Sequence, residues 1–290
     1  MSAGTSGPAV VGARGMLGRA LVAELVARGE RPVELDRPEF DLTEESAVRR
    51  LFEDARASVV FNAAAYTDVD GAETEPEAAE RVNARGVRCL GEAAARAGVL
   101  VVHFGTDYVF DGASRAPYTE DDAPSPLNAY ARTKLAGEEA LARSGAAHLT
   151  IRTAWLFAPW GGNFVLGVLE RARRLAAGRG GEPLRVVDDQ RGSPTYAPDL
   201  ARGALDLVGS GARGTYHLVN SGEATWRELA VETCRLAGLG VEVARAATQD
   251  IGAPAKRPAY SVLSAARAER LIGRAMRHWC EALAECVRRI

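Results

Sequence analysis

Short apolar runs rich in β-branched residues alternate with segments of helical spacing through the first half of the chain, and no other feature restricts the fold as much. Residues 9–11, 32–35, 59–62, 99–104 and 149–153 read as strands, and 17–28, 44–55, 76–97 and 129–143 as the helices between them. In the first helix Leu17, Leu21 and Leu25 share one face. With right-handed crossovers, such alternation predicts an α/β fold built on a doubly wound parallel sheet.

The second half is less regular, punctuated by Pro159, Gly161, Gly162, Gly178, Gly180, Gly181 and Pro183. It reads as a helix at 197–208, a strand at 215–219 and helices at 225–237 and 277–288. A chain of 290 residues accommodates a Rossmann-like dinucleotide-binding domain over 1–153, with a return segment near 197–215, and a smaller C-terminal substrate lobe over most of 154–290.

Gly12, Gly15 and Gly18 form G-A-R-G-M-L-G directly after the first strand and before the first amphipathic helix. Glycines there let the backbone turn tightly against a pyrophosphate, whose charge the free N–H groups at the helix start favour. Asp36 closes the second strand, where a carboxylate accepts from adenosine ribose hydroxyls. Arg14 and Arg37 flank it and suit a 2′-phosphate, so NADPH is expected, with NADH as a second cofactor. Asp41 and Leu42 are placed beside the adenine, and the small residues Ala63, Ala64 and Ala65 let the backbone after the third strand lie close to the cofactor.

Tyr130 and Lys134, four apart in Y-A-R-T-K, share a helix face. A phenol with an ordinary pKa of about 10 is a poor acid at neutral pH, and a neighbouring ammonium and a cationic nicotinamide ring are expected to lower it. Thr106, in F-G-T-D-Y-V-F at the end of the fourth strand, is placed to hydrogen-bond a substrate carbonyl. Asp107 and Tyr108 come next, positioned for sugar hydroxyls or a base.

Lys and Arg total 36 against 38 Asp and Glu, so no global field favours nucleic acid or an anionic membrane. No run approaches the ~20 apolar residues that cross a bilayer, and M-S-A-G-T-S-G-P-A-V-V lacks a basic n-region before an apolar stretch. Cys89, Cys234, Cys280 and Cys286 lack C-x-x-C spacing and a nearby histidine. A cytoplasmic location, reduced thiols, no metal site and a small-molecule partner are expected.

The motifs N-A-A-A-Y-T-D-V-D-G-A-E (62–73), F-G-T-D-Y-V-F-D-G (104–112), S-P-L-N-A-Y-A-R-T-K-L-A-G-E (125–138), I-R-T-A-W-L-F (151–157), G-N-F-V (162–165), D-D-Q-R-G-S-P-T (188–195) and R-P-A-Y-S-V-L-S (257–264) resemble, almost end to end, the dTDP-4-dehydrorhamnose reductases of the extended short-chain dehydrogenase family. The resemblance implies Thr106, Tyr130 and Lys134 as the catalytic set, with Tyr130 as proton donor. It implies cofactor contacts at Gly15, Met16, Leu17, Asp36, Asp41, Leu42, Ala65, Tyr66, Thr67, Phe104, Tyr130 and Lys134. Substrate contacts are implied at Val69, Thr106, Asp107, Tyr108 and Trp155, the last with its ring over a sugar or base at the cleft mouth. The reaction so implied is reduction of the C4 ketone of dTDP-4-dehydrorhamnose to dTDP-L-rhamnose by a monomer or homodimer. The chain departs from the family pattern at Gly105, commonly serine, and Ala131, commonly glycine.

Two other readings stand beside this one. A related ketoreductase acts on another nucleotide-linked 4-keto-deoxysugar, and a non-catalytic homologue serves as a regulatory subunit of methionine adenosyltransferase. Intact Thr106, Tyr130 and Lys134 argue against the latter, and D-D-Q-R-G-S-P-T argues against an epimerase.

Overall fold

A computed structural model of the chain describes residues 7–54, 57–179 and 182–290. Residues 1–6, Ala55 at the end of the second expected helix, and Gly180 and Gly181 lie outside the described residues. From the N-terminal side run β1 (Ala9–Val11), α1 (Met16–Ala27), β2 (Val33–Leu35), α2 (Glu45–Asp54), β3 (Val59–Asn62), α3 (Gly71–Thr74) and α4 (Pro76–Glu80). A π-helical turn at Arg81–Gly86 leads to α5 (Val87–Ala97), β4 (Leu100–Thr106), α6 (Ala129–Arg143) and β5 (His148–Thr153). The rest comprises β6 (Leu156–Phe157), α7 (Phe164–Ala176), β7 (Leu184–Val187), β8 (Arg191–Gly192), β9 (Thr195–Tyr196), α8 (Ala197–Gly209) and β10 (Gly214–His217). It ends with β11 (Ala224–Thr225), α9 (Trp226–Leu236), β12 (Val243–Ala246), α10 (Thr248–Ile251), α11 (Ala266–Ile272) and α12 (Trp279–Arg288).

The doubly wound sheet is present as six strands in the order β10-β5-β4-β3-β1-β2, every pair parallel. Helices cover both faces, which is why β4 is buried along its whole length rather than on alternate residues. Its successive side chains still part to opposite sides. Val102 joins Leu17, Leu21, Leu200 and Ala204 on the α1/α8 side, and Val101 joins Val48, Leu51, Leu90 and Leu141 on the other. Each such valine or leucine contributes about 1.5–3 kcal/mol by burial.

The expected helix 76–97 is continuous but carries the π-helical turn. That extra residue presents buried Asn83 to its neighbours. Its amide accepts from Tyr66 N, donates to Tyr66 O and donates to Thr133 Oγ1, tying the loop after β3 to α6. Helix α7 was not anticipated, because the glycines and prolines around it obscured its period. Asn163 caps it by accepting from Leu166 N. Helices α7 and α9 pack through Val168, Leu169, Leu229 and Ala230, and the paired strands β7 and β12 lie against them. The cleft opens at the C-terminal ends of β1, β3, β4 and β5, where doubly wound sheets bind ligands.

Candidate active site

The glycine turn is held by short contacts that leave no room for side chains. Gly12 has φ of +79°, and a Cβ there would fall 2.8 Å from Ala64 N. At Gly18 a Cβ would fall on the Gly12 carbonyl oxygen. Gly15 precedes α1 without a side-chain cap, so the N–H groups at Met16 and Leu17 are left for an anion. The Leu17 side chain itself belongs to the core, and Met16 O accepts from Trp160 Nε1 at 3.0 Å.

Asp36 Oδ2 accepts from the Arg14 backbone N–H, so this carboxylate braces the glycine turn. The side chain of Arg14 is largely exposed and reaches the Arg37 carbonyl at 3.4 Å and Glu39 at 3.9 Å. Ala13, Arg14, Leu35, Asp36, Glu39 and Phe40 line a cavity of about 510 Å³ beside it. Asp41 is occupied locally, accepting from Thr43 N and Thr43 Oγ1 at 2.8 Å, bonds that lower its pKa. Leu42 packs under the π-helical turn against Gly86. Ala64, Ala65 and Tyr66 are half-buried in the loop after β3, and Thr67 is exposed.

Thr106 ends β4, and its hydroxyl donates toward Asp107 Oδ1 at 3.3 Å and accepts from Tyr108 N at 3.2 Å. Asn128 caps α6 by accepting from Ala131 N. Ala129 N donates to Glu73 Oε1, which fixes the start of that helix. The first turns of α6 thereby bring Tyr130 and Lys134 to the end of β4. Tyr130 hydrogen-bonds Thr106, and its ring meets Tyr108 edge to face at 6.4 Å.

Burial pushes the Tyr130 phenol up to about 12, with the Thr106 hydrogen bond pulling the other way. The expected lowering by Lys134 is not what this geometry shows. The Lys134 ammonium donates to Phe104 O at 2.6 Å and lies 3.5 Å from His103 Nε2. Burial lowers Lys134 to about 8, opposed by the charge of Glu138. Asp107 is also buried; desolvation raises it to about 7 although Ser261 Oγ donates to its Oδ2 at 2.5 Å.

The structure adds residues that the motifs contained but spacing did not reveal. Arg257 pairs with Asp70 at 2.7 Å and hydrogen-bonds Tyr108, linking the Thr106 turn to the C-terminal segment. Arg257 and Ser261 both lie in R-P-A-Y-S-V-L-S, the one signal that pointed to them. A second cavity, of about 450 Å³, is lined by Asp70, Arg171, Arg185, Trp226, Thr248 and Arg257 among others. Val69, half-buried, directly precedes Asp70.

Trp155, expected to lay its ring over a sugar or base, has one face of that ring against the protein. Its backbone is left-handed, with φ of +46°, and its indole stacks on Trp226 at 3.6 Å, so one face is covered by protein. A Cβ at Gly192 would fall on that ring, and Trp226 rather than Trp155 lines the second cavity. Among the described residues, no group of three or more His, Cys, Asp or Glu is arranged to hold a metal ion, and no helix is long and apolar enough to cross a membrane.

Residues 9–290 match the family model described as the RmlD substrate binding domain. The dTDP-4-dehydrorhamnose reductase of Burkholderia thailandensis is 46% identical over 187 residues, 64% of this chain and 60% of that one. The enzyme of the same name from Mycolicibacterium smegmatis is 40% identical over 96% of this chain and 84% of its own. A probable dTDP-4,6-dihydroxy-2-methyloxan-3-one 4-ketoreductase of Streptomyces antibioticus is 41% identical over 95% and 92%. The crystal structure of dTDP-4-dehydrorhamnose reductase from Bacillus anthracis in complex with NADP superposes with a TM-score of 0.92 at 33% identity, covering 99% of this chain and 100% of that one.

Proposed function

The chain belongs to the RmlD substrate binding domain family, and from that premise we infer that it is an NAD(P)H-dependent oxidoreductase reducing the C4 ketone of dTDP-4-dehydrorhamnose to dTDP-L-rhamnose. One observation carries the reading: Tyr130, Thr106 and Lys134 converge at the C-terminal end of β4, the end of the parallel sheet at which the glycine turn follows β1.

The residues present fit a dinucleotide. Gly12 and Gly18 let the turn pack backbone to backbone against Ala64 and on itself, uncapped N–H groups begin α1, and Asp36 keeps Oδ1 for a ribose hydroxyl. Gly15, Met16 and Leu17 would hold the pyrophosphate through their backbone, and Arg14 and Arg37 a 2′-phosphate. Ala64, Ala65, Tyr66, Thr67 and Phe104 would border the nicotinamide half, with Asp41 and Leu42 beside the adenine.

When bound, the dihydronicotinamide supplies the hydride. Tyr130 protonates the oxygen that becomes the C4 hydroxyl, and Thr106 hydrogen-bonds that oxygen as its charge develops. A phenol near 12 holds its proton firmly until that charge appears, so the donor is neutral and protonated before the reaction. Lys134 binds ribose hydroxyls. Asp107 and Tyr108 contact the sugar, Val69 borders it, and Trp155 shapes the site through Trp226. Arg257, Arg171 and Arg185 suit the diphosphate. Residues 1–153, with 197–215 returning to the sheet, act as the dinucleotide domain and most of 154–290 as the substrate lobe of a cytoplasmic monomer or homodimer.

The Streptomyces antibioticus relative, as similar as the rhamnose enzymes, favours a second reading in which another dTDP-linked 4-keto-deoxysugar is reduced. Loss of NADPH absorbance measured with dTDP-4-dehydrorhamnose beside other 4-ketosugar nucleotides separates the two. Turnover at least ten-fold faster with the rhamnose precursor supports the first reading, and preference for another ketosugar supports the second.

A further inference from the structure

His103 is fully buried in the middle of β4, between Asn62 across the sheet on β3 and Lys134 on α6. No step of the proposed reaction uses it. A polar ring in so apolar a layer is costly unless its nitrogens find partners. Nε2 lies 3.5 Å from Lys134 Nζ, and Nδ1 lies 3.2 Å from Asn62 Nδ2. An ammonium only donates, so Nε2 accepts from Lys134 and the ring proton sits on Nδ1. Nδ1–H then faces a second donor, while Asn62 Oδ1 is buried without a hydrogen-bond partner. Turning the Asn62 amide by 180° removes that opposition, since Oδ1 then accepts from Nδ1–H.

We propose that His103 is a positioning residue for Lys134: a neutral, Nδ1-protonated imidazole, held by Asn62, whose Nε2 takes one ammonium N–H. Phe104 O takes a second at 2.6 Å. The third is left to face the cleft, so the ammonium is aimed before any cofactor arrives. Burial, with the Lys134 charge beside it, keeps the imidazole well below its ordinary pKa and so uncharged. The role rests on the reading of Lys134 as a cofactor-directed ammonium.

Two measurements test it. Long-range 1H–15N correlation on wild-type protein carrying 15N-histidine and saturated with NADP+ reports the tautomer, the His103 signal being identified by its loss in His103→Gln. The Nδ1–H pattern at pH 7 is expected; an Nε2–H pattern or an imidazolium overturns the proposal, whether or not the chain proves to be a reductase. Fluorescence titration then gives the NADPH dissociation constant of variants. His103→Leu is expected to weaken binding about ten-fold or more, the size of a hydrogen bond to a charged group. His103→Gln, which keeps an acceptor toward Lys134 and a donor toward Asn62, is expected within about three-fold of wild type. Equal weakening in both variants, or none in either, overturns the proposal, and the tautomer stands as a test even if His103→Leu does not fold.

Discussion

Glu138 Oε1 stands where any residue other than glycine would place its Cβ at position 105, and that buried oxygen has no hydrogen-bond partner. The other oxygen, Oε2, is held by Arg152 at 2.9 Å, so the carboxylate can yield at one end only. Substitution at 105 therefore sets a steric cost against a hydrogen bond waiting to be made. Gly105→Ala adds the Cβ alone, whereas Gly105→Ser also supplies a hydroxyl to Oε1. Chemical denaturation is expected to find the serine variant more stable than the alanine variant by about 1.5–3 kcal/mol, the range for a hydrogen bond to a charged group. Equal stability would mean that Oε1 does not take the bond.

Asp107 offers a pH test. Burial raises its folded pKa to about 7 from the ordinary 3.8, so between those values the folded state binds more protons than the unfolded one. Stability linked to this group is present below about pH 4 and is lost as pH rises through about 7. Asp107→Asn removes that dependence. The melting temperature of the variant minus that of the wild type should rise from pH 5 to pH 8; a difference that stays flat or falls would show that Asp107 is ionised throughout.

Cofactor choice is tested at the arginines beside Asp36. Arg14 reaches the Arg37 carbonyl, and its guanidinium is largely exposed beside the cavity there. The double variant Arg14→Ala, Arg37→Ala should raise KM for NADPH about ten-fold or more, as expected for lost charge-assisted hydrogen bonds, while changing KM for NADH little. Equal effects on the two cofactors would remove the 2′-phosphate role.

The stacked indoles make a prediction for substrate binding. Trp226 lines the second cavity and supports Trp155 at 3.6 Å. Loss of a stack worth ~0.5–1.5 kcal/mol beyond area burial should raise KM for the sugar nucleotide about two- to ten-fold in Trp226→Ala and leave KM for NADPH unchanged. A lower melting temperature with KM unaltered would assign the pair to packing alone.

How much of this was legible in the sequence follows from how local each signal is. The strand and helix periods, the glycine turn and the Tyr130/Lys134 spacing are short-range patterns, and the sheet and the gathering of Thr106, Tyr130 and Lys134 followed from them. Contacts across long sequence separations were not legible. Asp70 meets Arg257, Asp107 meets Ser261 and Trp155 meets Trp226, pairings fixed only when the C-terminal half packs over the sheet. The contacts of Lys134 were hidden for a related reason: the i, i+4 spacing brings Lys134 near Tyr130, but β4 supplies Phe104 O and His103, which engage the ammonium.

Carbonyl reduction at Tyr130 is tested most directly by following the transferred atom. With NADPH doubly deuterated at the nicotinamide C4 and dTDP-4-dehydrorhamnose, the wild-type product should carry one deuterium at sugar C4 by mass spectrometry and NMR. Tyr130→Phe should bind NADPH normally and form the same labelled product about 10²–10⁴ times more slowly. Product without deuterium at C4, or Tyr130→Phe turning over at the wild-type rate, would contradict the account.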